Sequence, residues 1–179
     1  MIQLEKPPQM LANSDYVVFD LETTGLEYKF NEVLEIGAVK IRNGQIIETF
    51  NTLCKPKQPV SDFITNLTHI TNDMVKDAPK FVDIVGDFYK FCYGCPMVAH
   101  NAEFDTTFLG YHARRVGYDF NNKVYDTLQM SRKLVRNLRN YKLSTLCEYF
   151  GVVLDNAHRA LFDTVATAKC FIELAKLEN

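Results

Sequence analysis

The chain has 179 residues, 47% of them hydrophobic, 23% charged and 12% aromatic, with a formal net charge of -2. That length suits one well-buried domain, and the composition excludes a disordered polymer. The small net charge excludes binding of a polyanion by bulk attraction, so any nucleic acid must be held by a local basic patch or by bound metal.

Residues 1–14 read as an N-terminal leader, because Pro7-Pro8 excludes regular structure there. The same stretch lacks the basic-then-apolar plan of a secretory signal, and no apolar run approaches a membrane span. The expectation is a cytoplasmic protein with no membrane partner. Residues 16–21 form an apolar, β-branched and aromatic run that predicts a first strand. Residues 32–41 predict a second, Asn43-Gly44 a hairpin turn, and residues 45–53 a returning third strand.

Lys55-Pro56-Lys57-Gln58-Pro59 ends this meander. A short helix is expected over 73–75 and a longer one over 79–91, with Phe81, Ile84, Val85 and Phe88 on one face. Met97-Val98-Ala99 reads as a short buried strand. Residues 103–116 read as a helix stopped by Gly117, and residues 123–125 as a last strand. Helices over 127–135, 144–150 and 159–177 complete the chain, the last with Leu161, Val165, Ala168 and Ile172 at helical spacing. No repeat, low-complexity segment or linker divides it. The implied fold class is α/β, a mixed sheet flanked by helices.

The five cysteines show no framework spacing. Cys92-Tyr93-Gly94-Cys95 has no second pair to complete a zinc site, and it falls where a helix closes rather than opens. Reduced, half-buried thiols are expected there in place of a redox centre.

The chemistry lies in the carboxylates. Asp20 and Glu22 are one residue apart at the end of the first strand, so their side chains point to one face. Like charges so close repel unless a cation separates them or one takes a proton. Alone, such a pair is usually solvated or salt-bridged. Two further acids change that balance. His100-Asn101-Ala102-Glu103-Phe104-Asp105 puts Asp105 in the first turn of a helix, and His158-Arg159-Ala160-Leu161-Phe162-Asp163 does the same for Asp163. Three carboxylates from separate elements, with Glu22 beside Asp20, are a hard, all-oxygen set suited to Mg²⁺ or Mn²⁺, and a pair of such ions can clamp a phosphodiester. A histidine can then take the proton of the attacking water. His158, on a loop before its helix, suits that role. His100 is the rival, although its place against a strand end suits a buried support. Asp126, before Thr127, reads as a helix cap in preference to a ligand. Residues 131–142 carry five basic residues and no acid. They form either a solvated face or a set of phosphate contacts.

These three segments, in this order, resemble the exonuclease motifs of the DEDDh 3'→5' exonucleases. The likeness is greatest to the proofreading exonucleases of bacterial DNA polymerase III, both the epsilon subunit and the domain inside the Gram-positive replicative polymerase. It covers the chain from about Ser14 to Leu177, so residues 15–179 are expected to be an exonuclease domain of RNase H-like fold with a five-stranded sheet. The resemblance implies two divalent ions held by Asp20, Glu22, Asp105 and Asp163, with His158 as general base. It also implies nucleotide contacts from Thr23, Thr24, Leu26, Asn101 and Phe104. Thr68-His69-Ile70-Thr71 resembles the family's His-Gly-Ile-Thr loop with threonine at the histidine position and histidine at the glycine position, which makes Thr68 and Ile70 candidate substrate contacts. The implied activity is release of nucleoside 5'-monophosphates from single-stranded or frayed DNA 3' ends, with a DNA polymerase as an expected partner. Because the chain stops just after its last helix, it is expected to lack the extra segment by which epsilon-type subunits attach. The alternatives are an exoribonuclease of RNase T or oligoribonuclease type, and a non-catalytic nucleic-acid-binding module.

Overall fold

The computed structural model describes residues 9–12, 14–155 and 157–178. Strands β1 (Tyr16–Thr23), β2 (Val33–Arg42), β3 (Gln45–Leu53), β4 (Met97–Ala99) and β5 (Val124–Asp126) form one sheet of order β3-β2-β1-β4-β5. The first three are antiparallel, and β4 and β5 add in parallel. The mixed five-stranded sheet flanked by helices is the expected one. Asn43 and Gly44 both take positive φ, which a two-residue turn of matching twist requires.

Alternation along β1 assigns its faces. Val17, Phe19 and Leu21 enter a core with Phe88 and Phe91 of α4 (Phe81–Cys92) and with Phe108 and Leu109 of α5 (Ala102–Arg114). Tyr16 and Val18 enter the opposite core with Val39, Val98, Ala168 and Phe171, the last two on α8 (Ala160–Leu177). By the same period, Asp20 and Glu22 continue the α8 face. Across the antiparallel register they stand opposite Gly37 and Glu35 of β2. A register shift between Glu22 and Thr23 marks an irregularity just beyond the acids, after which Thr23 pairs with Val33.

Two departures from expectation have local causes. First, Gln9–Ala12 of the expected leader form a helical turn, α1, whose Leu11 is 1% exposed in the α8-side core. Burial of that side chain holds the turn against the sheet; Pro7-Pro8 lies outside the described residues. Second, α2 (Asp62–Thr68) was not expected. Ser61 caps it by accepting from the Ile64 amide, and Ile64 with Val60, Ile70 and Val75 forms a small separate core. The short helix near 73–75 is α3 (Asn72–Val75). The remaining helices are α6 (Thr127–Leu134) and α7 (Leu143–Phe150), with Leu146 and Cys147 of α7 packing on Ala166 and Cys170 of α8.

Candidate active site

Asp20, Glu22 and Asp163 each offer a carboxylate oxygen, and these oxygens lie within 4.8 Å of one another. Two come from one face of β1, and the third comes from the first turn of α8, which packs on that face. Asp105 approaches from the other side. It is 3% exposed, and its Oδ1 accepts the amide of Leu21 at 3.0 Å, between the two strand acids. The four expected acids therefore converge, three as a cluster and the fourth bonded to the strand that carries it.

Burial pushes all four carboxyls above their ordinary range. Asp20 is raised well above it, by desolvation first and then by repulsion from Asp105, Glu22 and Asp163. Glu22 is pushed up to about 8 by burial and by Asp163, and Asp105 to about 7 by burial against the lowering effect of its amide bonds. Asp163 is raised for the same first reason, opposed by the amide of His158. Such a set favours either bound protons or a bound cation. Arg159 lowers Glu22, but its pull is weaker than the burial and the repulsion that raise it.

His158 is exposed and stands in the left-handed region at φ 66°. Its backbone amide donates to Asp163 Oδ2 at 2.7 Å, tying the loop of the candidate base to a candidate ligand. His100 sits elsewhere. Its Nδ1 meets Thr127 Oγ1 at 2.9 Å, the backbone of Tyr141 also bonds it, and burial lowers its pKa. This is the support position its sequence context suggested. Asp126 accepts from the amides of Leu128 at 2.8 Å and Asn101 at 3.0 Å, so it caps α6 and holds the β4–α5 turn.

The expected nucleotide contacts divide into two groups. Leu26 is 82% exposed, Asn101 is exposed in the left-handed region before α5, and Phe104 is half-buried against Phe108 at 4.9 Å. All three have surface to offer. The hydroxyls of Thr23 and Thr24 are engaged within the β1–β2 loop, Thr23 donating to Gly25 O, and Thr24 donating to Asn31 Oδ1 while accepting the amide of Glu32. Thr68 and Ile70 are 1% and 0% exposed. Thr68 Oγ1 donates to Ile64 O and accepts from the Ile70 amide, so both residues frame their loop and neither is on its surface. Between them His69 closes α2 at φ 59°, ψ 14°. That backbone conformation explains why a related loop would carry glycine there.

Sequence reasoning missed the group that seats α8. Glu35, 1% exposed, accepts from Arg159 Nε at 3.0 Å, from the second guanidinium nitrogen at 2.9 Å and from the Ala160 amide at 3.1 Å. Two residues along, a Cβ on Gly37 would meet the backbone of Ala160 and Leu161, at 2.3 Å from the Ala160 carbonyl carbon. Thr164 Oγ1 donates to the carbonyl of Gly37 at 2.9 Å. The visible signal was Glu35 itself, the one acid in the apolar run Val33-Leu34-Glu35-Ile36-Gly37-Ala38-Val39. Cys92 and Cys95 are free, and burial raises both thiols, which disfavours thiolate chemistry.

A mixed sheet bearing an acidic strand pair, with aspartates brought in on two helices, defines an RNase H-like nuclease architecture. The chain belongs to the exonuclease family whose model, of RNase T type, matches residues 17–171. It is 49% identical over 166 residues, 92% of its own length, to the PolC-type DNA polymerase III of Caldanaerobacter subterraneus subsp. tengcongensis. It is 40% identical over 170 residues to that of Bacillus subtilis. In both cases it spans 12% of the relative's length. Among solved structures, exonuclease X in complex with 5' overhanging duplex DNA superposes with a TM-score of 0.70 at 27% identity, covering 90% of this chain and 91% of that one. E. coli exonuclease I in complex with a dT13 oligonucleotide superposes at 0.80 over 93% of this chain and 42% of that one; at 18% identity this likeness concerns the fold. No helix among the described residues is long and apolar enough to cross a membrane.

Proposed function

We propose that this chain is a metal-dependent 3'→5' exonuclease domain that removes nucleoside 5'-monophosphates from single-stranded or frayed DNA ends. The observation that carries the reading is the cluster of Asp20, Glu22 and Asp163 oxygens within 4.8 Å, with Asp105 bonded beside it. The donor set fits a divalent cation: it is all oxygen, it gathers four acids near Arg159, and burial raises all four carboxyls, so that a bound cation would relieve the charge they carry when ionised. Asp20, Glu22 and Asp163 would hold a pair of Mg²⁺ or Mn²⁺ ions, with Asp105 completing the set. The chemistry supplied when they are bound is neutralisation of the phosphate's developing charge and acidification of the attacking water.

The rest falls to the chain's own groups. His158, exposed on its loop, takes the proton of the water and passes it to solvent. Its amide bond to Asp163 keeps the base and that ligand in one unit. Leu26 and Phe104 present apolar surface to the terminal nucleotide, a mode that tolerates any base. DNA is favoured as substrate by the PolC-type relatives, and a proofreading role beside a polymerase follows from the same likeness. Five free thiols suit a reducing compartment such as the cytoplasm.

The test is release of mononucleotides from matched DNA and RNA oligonucleotides with mismatched and paired 3' ends, with Mg²⁺, Mn²⁺ or EDTA. We expect metal-dependent release, faster on DNA and on mismatched ends. Asp163→Ala should abolish it, and His158→Ala should lower the rate on the order of 10²–10⁴-fold while sparing metal binding. Faster turnover of RNA would move the substrate to the oligoribonuclease class. Absence of turnover under every condition would leave a binding module.

A further inference from the structure

Beside the acids lies a cleft of about 430 Å³ lined by His100, Asn101, Arg132, Asn140, Tyr141 and Lys142. We propose that it holds the phosphates of the nucleotides upstream of the 3' end, so that Arg132 and Lys142 set how much chain the enzyme needs for tight binding. The inference rests on the exonuclease reading and extends it to residues outside the three acidic motifs.

Place is the first support. β4 runs parallel to β1 with Val98 opposite Val18, so His100 and Asn101, just past the strand, come level with Asp20 and Leu21. The cleft therefore opens at the height of the acidic cluster. Asn101 also stands three residues before Phe104, on the side where the terminal nucleotide would lie. A strand leaving the acids across the β4–α5 turn would pass His100 and Asn101, which line the cleft.

Charge is the second. Of the five basic residues in 131–142, Lys133 pairs with Glu178 at 3.4 Å and Arg139 with Glu148 at 3.0 Å. Arg132, Arg136 and Lys142 have no ion pair among the described residues, and all three are exposed. Two of these three line the cleft, and no acid lines it. Exposed cations without partners are cheap to recruit for phosphate, because no existing pair has to be broken.

Preorganisation is the third. The wall is not a loose loop: Tyr141 OH donates to Val135 O at 3.1 Å, and Asn140 Oδ1 accepts from Thr145 Oγ1 at 2.8 Å and from the Lys142 amide at 3.0 Å. His100 joins the two walls through Thr127 and the backbone of Tyr141. A cleft with fixed walls and mobile cationic tips tracks a backbone without reading sequence.

The experiment compares an eight-nucleotide DNA substrate with the p-nitrophenyl ester of thymidine 5'-monophosphate, which has no upstream phosphate. In the Arg132→Ala/Lys142→Ala double variant, kcat/KM for the oligonucleotide should fall about tenfold relative to that for the ester, on the order expected of two phosphate contacts. The loss should lie in KM. The slope of log KM against log salt should flatten by about 1.4, since each phosphate released on single strands contributes roughly 0.7. Arg132→Lys/Lys142→Arg should restore the slope, and Lys133→Ala, outside the cleft, should leave it alone. An unchanged ratio and slope would overturn the proposal while leaving the exonuclease intact. If the wild type hydrolyses neither substrate, fluorescence anisotropy of a labelled oligonucleotide in EDTA still decides: equal affinity of wild type and double variant overturns the cleft.

Discussion

The two sides of the site are built on different principles. On the acidic side, two of the four carboxylates are held by backbone amides, Asp105 by that of Leu21 and Asp163 by that of His158, and the first turn of α8 is seated by Glu35 and Gly37. On the side proposed to face the nucleotide, Leu26 on its loop and Phe63 and Leu67 on α2 expose apolar surface, and shape comes from backbone conformation at His69 and Asn101. The contrast matches the work each side would do in the proposed exonuclease. Metal ligation and proton transfer fail with small displacements, whereas a surface that accepts any base needs area more than exact placement. Rigidity should therefore be expensive to lose on one side and nearly free to alter on the other.

The largest expected effect is at Glu35. Glu35→Gln leaves the guanidinium of Arg159 without its carboxylate partner. Breaking a buried pair from one side costs about 3–5 kcal/mol, and the partly exposed Arg159 places this case near the lower figure. Urea unfolding measures the stability. Turnover should fall as well, because the same turn of α8 carries Asp163 and follows His158. Arg159→Lys should not substitute, since a lysine lacks the two-pronged geometry seen on Glu35. Loss of stability with full turnover would break the link between the seat and the site.

The second effect is a pH dependence that only the acidic side can have. In metal-free protein Glu22 is pushed up to about 8, from an ordinary value of 4.5. Between those values the folded state keeps a proton that the unfolded chain has released. The proton's stabilising contribution is thus present at low pH and is lost as pH rises through the folded value. Asp105, raised to about 7, adds in the same sense. Thermal unfolding in EDTA should give a melting temperature that falls from about pH 5 to about pH 8, and saturating Mn²⁺ should remove most of that fall. Glu22→Gln should flatten the profile and stabilise the metal-free protein at pH 8 while abolishing turnover. A flat wild-type profile would mean that the acids do not feel one another as their burial implies.

The same contrast explains what could be read from the residues alone. The acidic side was legible because its information is periodic and local: alternation along β1 puts Asp20 and Glu22 on one face, and helix starts place Asp105 and Asp163. What supports those acids was not legible, since Glu35 and Arg159 are 124 residues apart and only the packed sheet brings them together. On the other side, α2 escaped notice because Phe63 and Leu67 face solvent and blur the apolar pattern, leaving Ser61 and Ile64 as its local signals. Thr68 and Ile70 look like contact residues in a motif. Whether a side chain contacts substrate or frames its loop is a matter of burial, which tertiary packing alone decides.

The smallest effect concerns His69 and tests whether backbone or side chain matters on the nucleotide-facing side. Its φ of 59° closes α2, with its amide donating to Thr65 O, while the ring is exposed. A non-glycine residue in the left-handed region carries a cost of about 1–2 kcal/mol, so His69→Gly should stabilise the protein by about 1 kcal/mol after glycine's greater freedom in the unfolded chain is set against it. If backbone shape is all this position supplies, kcat/KM on an oligonucleotide should stay within about twofold, near the precision of such a comparison. A gain in stability joined to a marked rise in KM would make the His69 ring a substrate contact. The division between a rigid acidic side and a permissive nucleotide side would then hold everywhere except at this one side chain.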